Sequence, residues 1–247
     1  MSLTDSAPRV DRGLPSGRRV LAAQVLLVAL IVTSLPLAGF AVFVLGSDRN
    51  ASGDFVSVVF YLALVALLTS PWWPTARSRA RTRWERLQAT VLIWFGVTFT
   101  THVTWELGWL LFRGAIQAAP DAVWAYPWWA YIDGGDARYA GNDPTLVSLE
   151  ILSVLNGLIG FTALWLWHRS ARRNAVAIHL LMATAVVHLY STFMYFSTEI
   201  LDGYPNVDTT SFIDLYVKFL LLNGLWLVVP WLVLLWGHRS VRALPAE

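Results

Sequence analysis

At 247 residues, with 56% hydrophobic and 14% charged positions and a mean hydropathy of +0.53, the chain is too apolar for a soluble domain of its size and reads as a polytopic membrane protein. It has no cysteine, which excludes disulfides, thiolate metal sites and cysteine nucleophiles, and its five histidines are too scattered to suggest a metal cluster. The formal charge is +2 and the pI is about 9.1, and because the arginines cluster beside apolar segments this basicity reports membrane orientation, not nucleic-acid binding.

The predicted elements give an all-α bundle of six spans. A tail over residues 1–19 carries Arg9, Arg12, Arg18 and Arg19. The apolar run 20–46 follows; it is too long for a signal peptide, shows no small-residue cleavage site, and contains Pro36 as an expected kink. A second span over 55–73 leads to a loop with Arg77, Arg79, Arg81, Arg83 and Arg86, and a third covers 87–112. The long connection 113–144 holds Trp124, Tyr126, Trp128, Trp129 and Tyr131, aromatics suited to the headgroup level. Spans over 145–168 and 175–198 flank Arg169, Arg172 and Arg173, and a last span over 212–236 precedes a tail, 239–247, with Arg239 and Arg242. Every arginine cluster falls on one side. The other connections carry Asp48, Asp54, Asp121, Asp133, Asp136, Asp143, Asp202 and Asp208, so the positive-inside rule puts both termini in the cytoplasm. The expected location is the plasma membrane in a bacterium or the endoplasmic reticulum in a eukaryote.

Within the third span stand His102 and Glu106, one helical turn apart and therefore on one face. Ionisable groups inside a span are costly and usually serve function. Counting about 1.5 Å per residue from the outer helix ends puts Glu106 roughly 10 Å deep, His102 roughly 16 Å, Glu150 about 8 Å, and Asn223 and Trp226 roughly 15 to 20 Å. Polar groups from several spans at a common level require an interior cavity. Each residue also has a plainer reading. His102 and Glu106 can satisfy one another with Thr98 and Thr101, Glu150 can cap a helix end, Asn223 can hold a neighbouring backbone, and Asp136, Arg138 and Tyr139 can order the outer loop. Glu199 and Asp202 read as structural or as part of a pocket mouth. Lys218 is expected to pair with Asp214 or to snorkel outward, and His179 and His188 to pack or sit at the interface.

Several ordered blocks carry a resemblance. His102-Val-Thr-Trp-Glu106, Gly135-Asp136-Ala137-Arg138-Tyr139 followed by Glu150, Tyr195-Phe196-Ser197-Thr198-Glu199 with Asp202-Gly203, and Asn223-Gly224-Leu225-Trp226-Leu227-Val228-Val229-Pro230 resemble the emopamil-binding protein family, the sterol isomerase branch of the EXPERA superfamily. The resemblance spans about residues 55–236 and implies a membrane domain over 55–238. The family has five spans, which makes 20–46 an N-terminal addition. Ser153 stands where the isomerases carry threonine, and Thr192, after Tyr190-Ser191, where they carry aspartate.

The resemblance implies a double-bond isomerase for a sterol, steroid or related polycyclic terpenoid, needing no cofactor or metal. It assigns acid-base work to His102, Glu106 and Glu150, and makes Trp105, Tyr139, Ser153, Tyr195, Asn223 and Trp226 the candidate substrate-binding set. Expected partners are a sterol-like molecule, membrane lipid and lipophilic amines that mimic a carbocation; the family also suggests a homodimer. A non-catalytic sterol- or lipid-binding membrane protein and a membrane terpenoid cyclase are the alternatives. Retention of the whole acid-base set favours the enzyme, because binding alone needs none of it.

Overall fold

The structure is a computed structural model that describes residues 17–244. Arg9 and Arg12 of the expected N-terminal tail, and residues 245–247 of the C-terminal one, lie outside the described residues. Every regular element among the described residues is helical.

Helix α1 spans Gly17–Phe43 and contains Pro36. Helix α2 spans Arg49–Thr69 and starts earlier than hydropathy suggests, because Asp48 caps it by accepting from the Ala51 amide at 2.8 Å. Asp54 therefore lies inside the helix. After a short α3, Ala76–Arg79, a reciprocal capping box between Thr82 and Glu85 opens α4, Arg83–Thr101. The chain continues without a break through a π-helical segment, His102–Glu106, into α5, Leu107–Ala118. Helix α6, Tyr126–Ile132, lies in the long outer connection. Helix α7, Pro144–Arg169, starts at Asp143, which accepts from the Leu146 amide with proline in the first turn. Helix α8, Ala175–Leu201, starts at Asn174 in the same manner. A second π segment, Ile213–Leu221, runs directly into α9, Leu222–Arg242.

Among the described residues, five helices are long and apolar enough to cross a membrane: Arg18–Phe43, Arg49–Trp72, Pro144–Arg169, Ala175–Leu201 and Ile213–Arg242. The remaining expected span is carried by α4, the π segment and α5, whose regular stretches are shortened by the change of helical register around His102 and Glu106. The protein is an all-α integral membrane bundle.

Helices α7, α8 and α9 pack side by side, α4 lies against α7 and α9, and α1 lies against α2 and α6. Trp94, Phe95, Phe99, Trp167 and Trp236 form one aromatic core near the arginine-rich end. Small residues let α4 and α7 approach. A Cβ on Gly160 would stand 2.2 Å from Phe99 Cζ, and one on Gly157 would stand 2.7 Å from His102 Cβ. Hydrophobicity cannot hold two helices together in lipid, so contact at this range supplies the attraction.

The outer connection is folded, not a loose aromatic belt. Tyr126 is fully buried, Trp128 Nε1 donates to the Trp105 carbonyl at 3.0 Å and Trp129 Nε1 to that of Ile116 at 2.9 Å, while Trp124 alone of this group is half exposed. Two charge clusters tie the connection to the bundle. Arg138 pairs with Asp136 at 2.6 Å, lies over the Tyr195 ring and reaches Glu199 at 3.5 Å. Lys218 is 1% exposed and does not snorkel; it contacts Asp214 at 2.6 Å and Asp54 at 2.8 Å and donates to the Asp133 carbonyl. Gly134 has φ +79°, and any Cβ there would meet the Asp214 carboxylate.

Candidate functional site

The π segment of the third span holds the most polar part of the bundle interior, as such interruptions often do. His102 Nδ1 lies 2.5 Å from Glu106 Oε2, and His102 is 1% exposed. Its other nitrogen, Nε2, faces Thr98 Oγ1 at 3.1 Å and His188 Nε2 at 2.8 Å. Trp226 Nε1 donates to the same Thr98 oxygen at 2.8 Å. From α7, Glu150 enters at 6% exposure, accepts a hydrogen bond from the Tyr139 hydroxyl, and borders the same recess as Glu106. Its second oxygen, Oε2, has no hydrogen-bond partner. A buried carboxyl oxygen left open beside a second carboxyl is an expensive arrangement for a merely structural group.

The nine residues expected at the site converge. His102, Glu106, Glu150, Ser153 and Tyr195 border a polar chamber of about 70 Å³. Trp105 borders an apolar cavity of about 970 Å³, and Glu106, Tyr139, Asn223 and Trp226 stand between the two spaces, lining both. Thus the acid-base candidates open from a small polar recess onto a large greasy one. Asn223 does hold backbone, but that of its own helix: Nδ2 donates to the Phe219 carbonyl at 2.7 Å, where the π segment leaves carbonyls free, and to the Tyr131 hydroxyl at 2.9 Å. Tyr195 donates to Asp136 Oδ2 at 2.6 Å and contacts Tyr131 at 2.7 Å, so the outer charge cluster braces the wall of the chamber. Trp105 is held by its Nε1 bond to the Pro127 carbonyl at 3.1 Å.

His188 is the residue to which the sequence assigned no role beyond packing or the interface. It does not merely pack or sit at an interface: it is 2% exposed and touches His102. A signal existed, since positions 188, 192, 195 and 199 recur at helical spacing and all four are buried on α8. Two imidazole nitrogens at 2.8 Å can share only one proton in that contact. If the Nδ1–H of neutral His102 points at Glu106, then His188 is the donor at Nε2 and its own Nδ1 carries a lone pair. That Nδ1 is buried without a partner, which costs less for a bare acceptor than for an N–H. His179, by contrast, is exposed and contacts the Ala175 carbonyl.

Comparison with known proteins agrees with this architecture. The family model EBP, described as EXPERA (EXPanded EBP superfamily), matches residues 123–236. The chain is 26% identical over 184 residues to the 3-beta-hydroxysteroid-Delta(8),Delta(7)-isomerase of Cavia porcellus, covering 74% of this chain and 77% of that protein. It is 30% identical over 139 residues to the enzyme of the same name from Rattus norvegicus, covering 56% and 59%. To the protoglabretal synthase of Ailanthus altissima it is 26% identical over 166 residues, covering 67% and 73%. Over its membrane domain the chain is thus similar to the EXPERA family and to sterol isomerases.

Proposed function

We infer that the protein is a cofactor-independent isomerase that moves a ring double bond in a sterol, steroid or related polycyclic terpenoid, as its relatives' names indicate for them. One observation carries the reading: two carboxyls, each with its own partner, border one polar recess where it meets a large apolar cavity. Two carboxyls at one recess divide the work, one supplying a proton to the substrate while the other accepts one. The alkene takes a proton at one carbon, leaving a tertiary cation on its neighbour. Loss of a proton from an adjacent carbon then closes the new double bond. One C–H bond forms, one breaks, and no electron leaves the molecule.

Each site residue has a part in this scheme. His102 holds Glu106 and relays charge, Tyr139 orients Glu150, and the Trp226 indole, its N–H turned to Thr98, shelters the cation without reacting. Asn223 and Trp105 shape the wall of the large cavity, and Ser153 and Tyr195 that of the polar recess. The arginine-rich ends α1 and α9 share are taken as cytoplasmic. A binding-only role leaves the carboxyls of Glu106 and Glu150 at the recess without purpose. Purified protein incubated with a sterol bearing a Δ8 double bond should give the Δ7 isomer, and Glu150→Gln should still bind the sterol while losing at least 10²-fold in turnover, as order-of-magnitude general acid-base catalysis would imply. Full turnover by Glu150→Gln removes Glu150 from the acid-base pair.

A further inference from the structure

The family model matches residues 123–236, and the sequence resemblance begins near residue 55, so neither gives α1 any work. Yet Gln24, Val25, Val28, Ile31, Val32 and Leu35 of α1 all line the 970 Å³ cavity. Their spacing of three and four residues makes them one face of the helix. Val25, Val28 and Val32 are 59%, 47% and 66% exposed, so this face is not consumed by packing on α2. Across the cavity, a Cβ added at Gly96 of α4 would meet nothing within 4 Å. The packing of α4 therefore does not need glycine there; the missing side chain leaves room in the cavity.

The cavity is elongated. Leu35 and Gln24 are separated by about 16 Å along α1 at the helical rise. Leu35 packs with Val56, Tyr126 and Ala130 beneath the outer connection, in the cavity that Glu106 and Asn223 also line; at the other end Gln24 Nε2 donates to Ser70 Oγ at 2.7 Å. We propose that α1 is a substrate-binding wall: the slot between α1, α2, α4 and α9 takes a rigid polycyclic lipid lying along α1, with its reacting ring at Glu106 and its far end toward Gln24. Its catalytic meaning rests on the isomerase reading, but the occupancy of the slot does not.

The test uses a Δ8 sterol carrying an alkyl diazirine on its side chain, photolysed with the full-length protein in detergent and mapped by peptide mass spectrometry. Label should appear on α1 at Val25, Val28 or Val32 and be competed away by unlabelled sterol. Val28→Trp, which fills the slot from an exposed position, should cut α1 labelling at least tenfold and raise KM more than it lowers kcat. Leu26→Trp, on the opposite face and 69% exposed, should change neither. Competable label confined to other helices, or equal effects of the two tryptophans, overturns the proposal. Competable α1 labelling in a protein that turns over no sterol upholds the slot and refutes only the isomerase reading.

Discussion

Gly157→Ala separates a site built by helix packing from one built by residue identity alone. In the structure an alanine Cβ at 157 stands 2.7 Å from His102 Cβ, 3.3 Å from Val103 Cγ1 and 3.4 Å from the Phe99 carbonyl oxygen. The first contact must open by about 0.7 Å to reach ordinary separation. Neither neighbour is a free side-chain tip. His102 is pinned by Glu106, Thr98 and His188, and Phe99 is fully buried, so α7 and the π segment must part. Parting moves Glu150, on α7, away from Glu106. Overpacking of this kind costs about 1–3 kcal/mol of stability. A displacement approaching 1 Å at reacting groups costs on the order of 10²-fold in rate. The assay is turnover of a Δ8 sterol by protein shown to be folded by its thermal transition, with binding of the sterol measured separately. The account expects a folded variant that binds sterol and turns over about 10²-fold slower. A folded variant with full turnover would refute the claim that the α4–α7 approach sets the distance between the two carboxyls.

Three further outcomes follow from the same geometry. His188→Leu removes one of the two partners of His102 Nε2, leaving Thr98, and should lower turnover by up to about tenfold, a net hydrogen bond being worth about 0.5–1.5 kcal/mol, whereas His188→Gln, which can still donate, should recover part of it; equal rates for both variants would show that the imidazole contact is idle. Asp136→Ala strips Arg138 of its closest partner inside the protein and should lower stability by about 3–5 kcal/mol, read as a depressed thermal midpoint in detergent; an unchanged midpoint contradicts the bracing role given to this pair. Lipophilic amines that imitate the cation should compete with sterol for the cavity, and competition should weaken in Trp226→Ala; amines that bind without displacing sterol would put the cation elsewhere.

The bundle and the position of its site were legible because both rest on local pattern. Apolar runs of membrane length stand out from composition, and a histidine and a glutamate inside one of them are conspicuous by their cost. What escaped was long-range compensation. Asp54 reads as a loop residue because an acid in a span is penalised, but Lys218, 164 positions later, answers it at 2.8 Å and lets α2 begin at Arg49. The π segments at His102–Glu106 and Ile213–Leu221 escaped for a different reason: a shift of backbone hydrogen-bond register leaves the hydropathy period almost unchanged. His188 was hidden because a histidine on an apolar helix acquires meaning only from what faces it, and Thr98 and His102 face it from another helix. The aromatic connection was read by composition alone, which cannot tell Trp124, exposed, from Tyr126, buried against Val56 and Ala130.

The most direct test of the account is incubation of the purified protein with a Δ8 sterol in deuterated water, with the product analysed by mass spectrometry. The account predicts a shifted double bond carrying one solvent deuterium, with conversion lost in His102→Ala. A shifted bond without deuterium would mean that the added hydrogen comes from the substrate itself and not from an acid in exchange with water, and conversion undiminished in His102→Ala would contradict the assignment of the site.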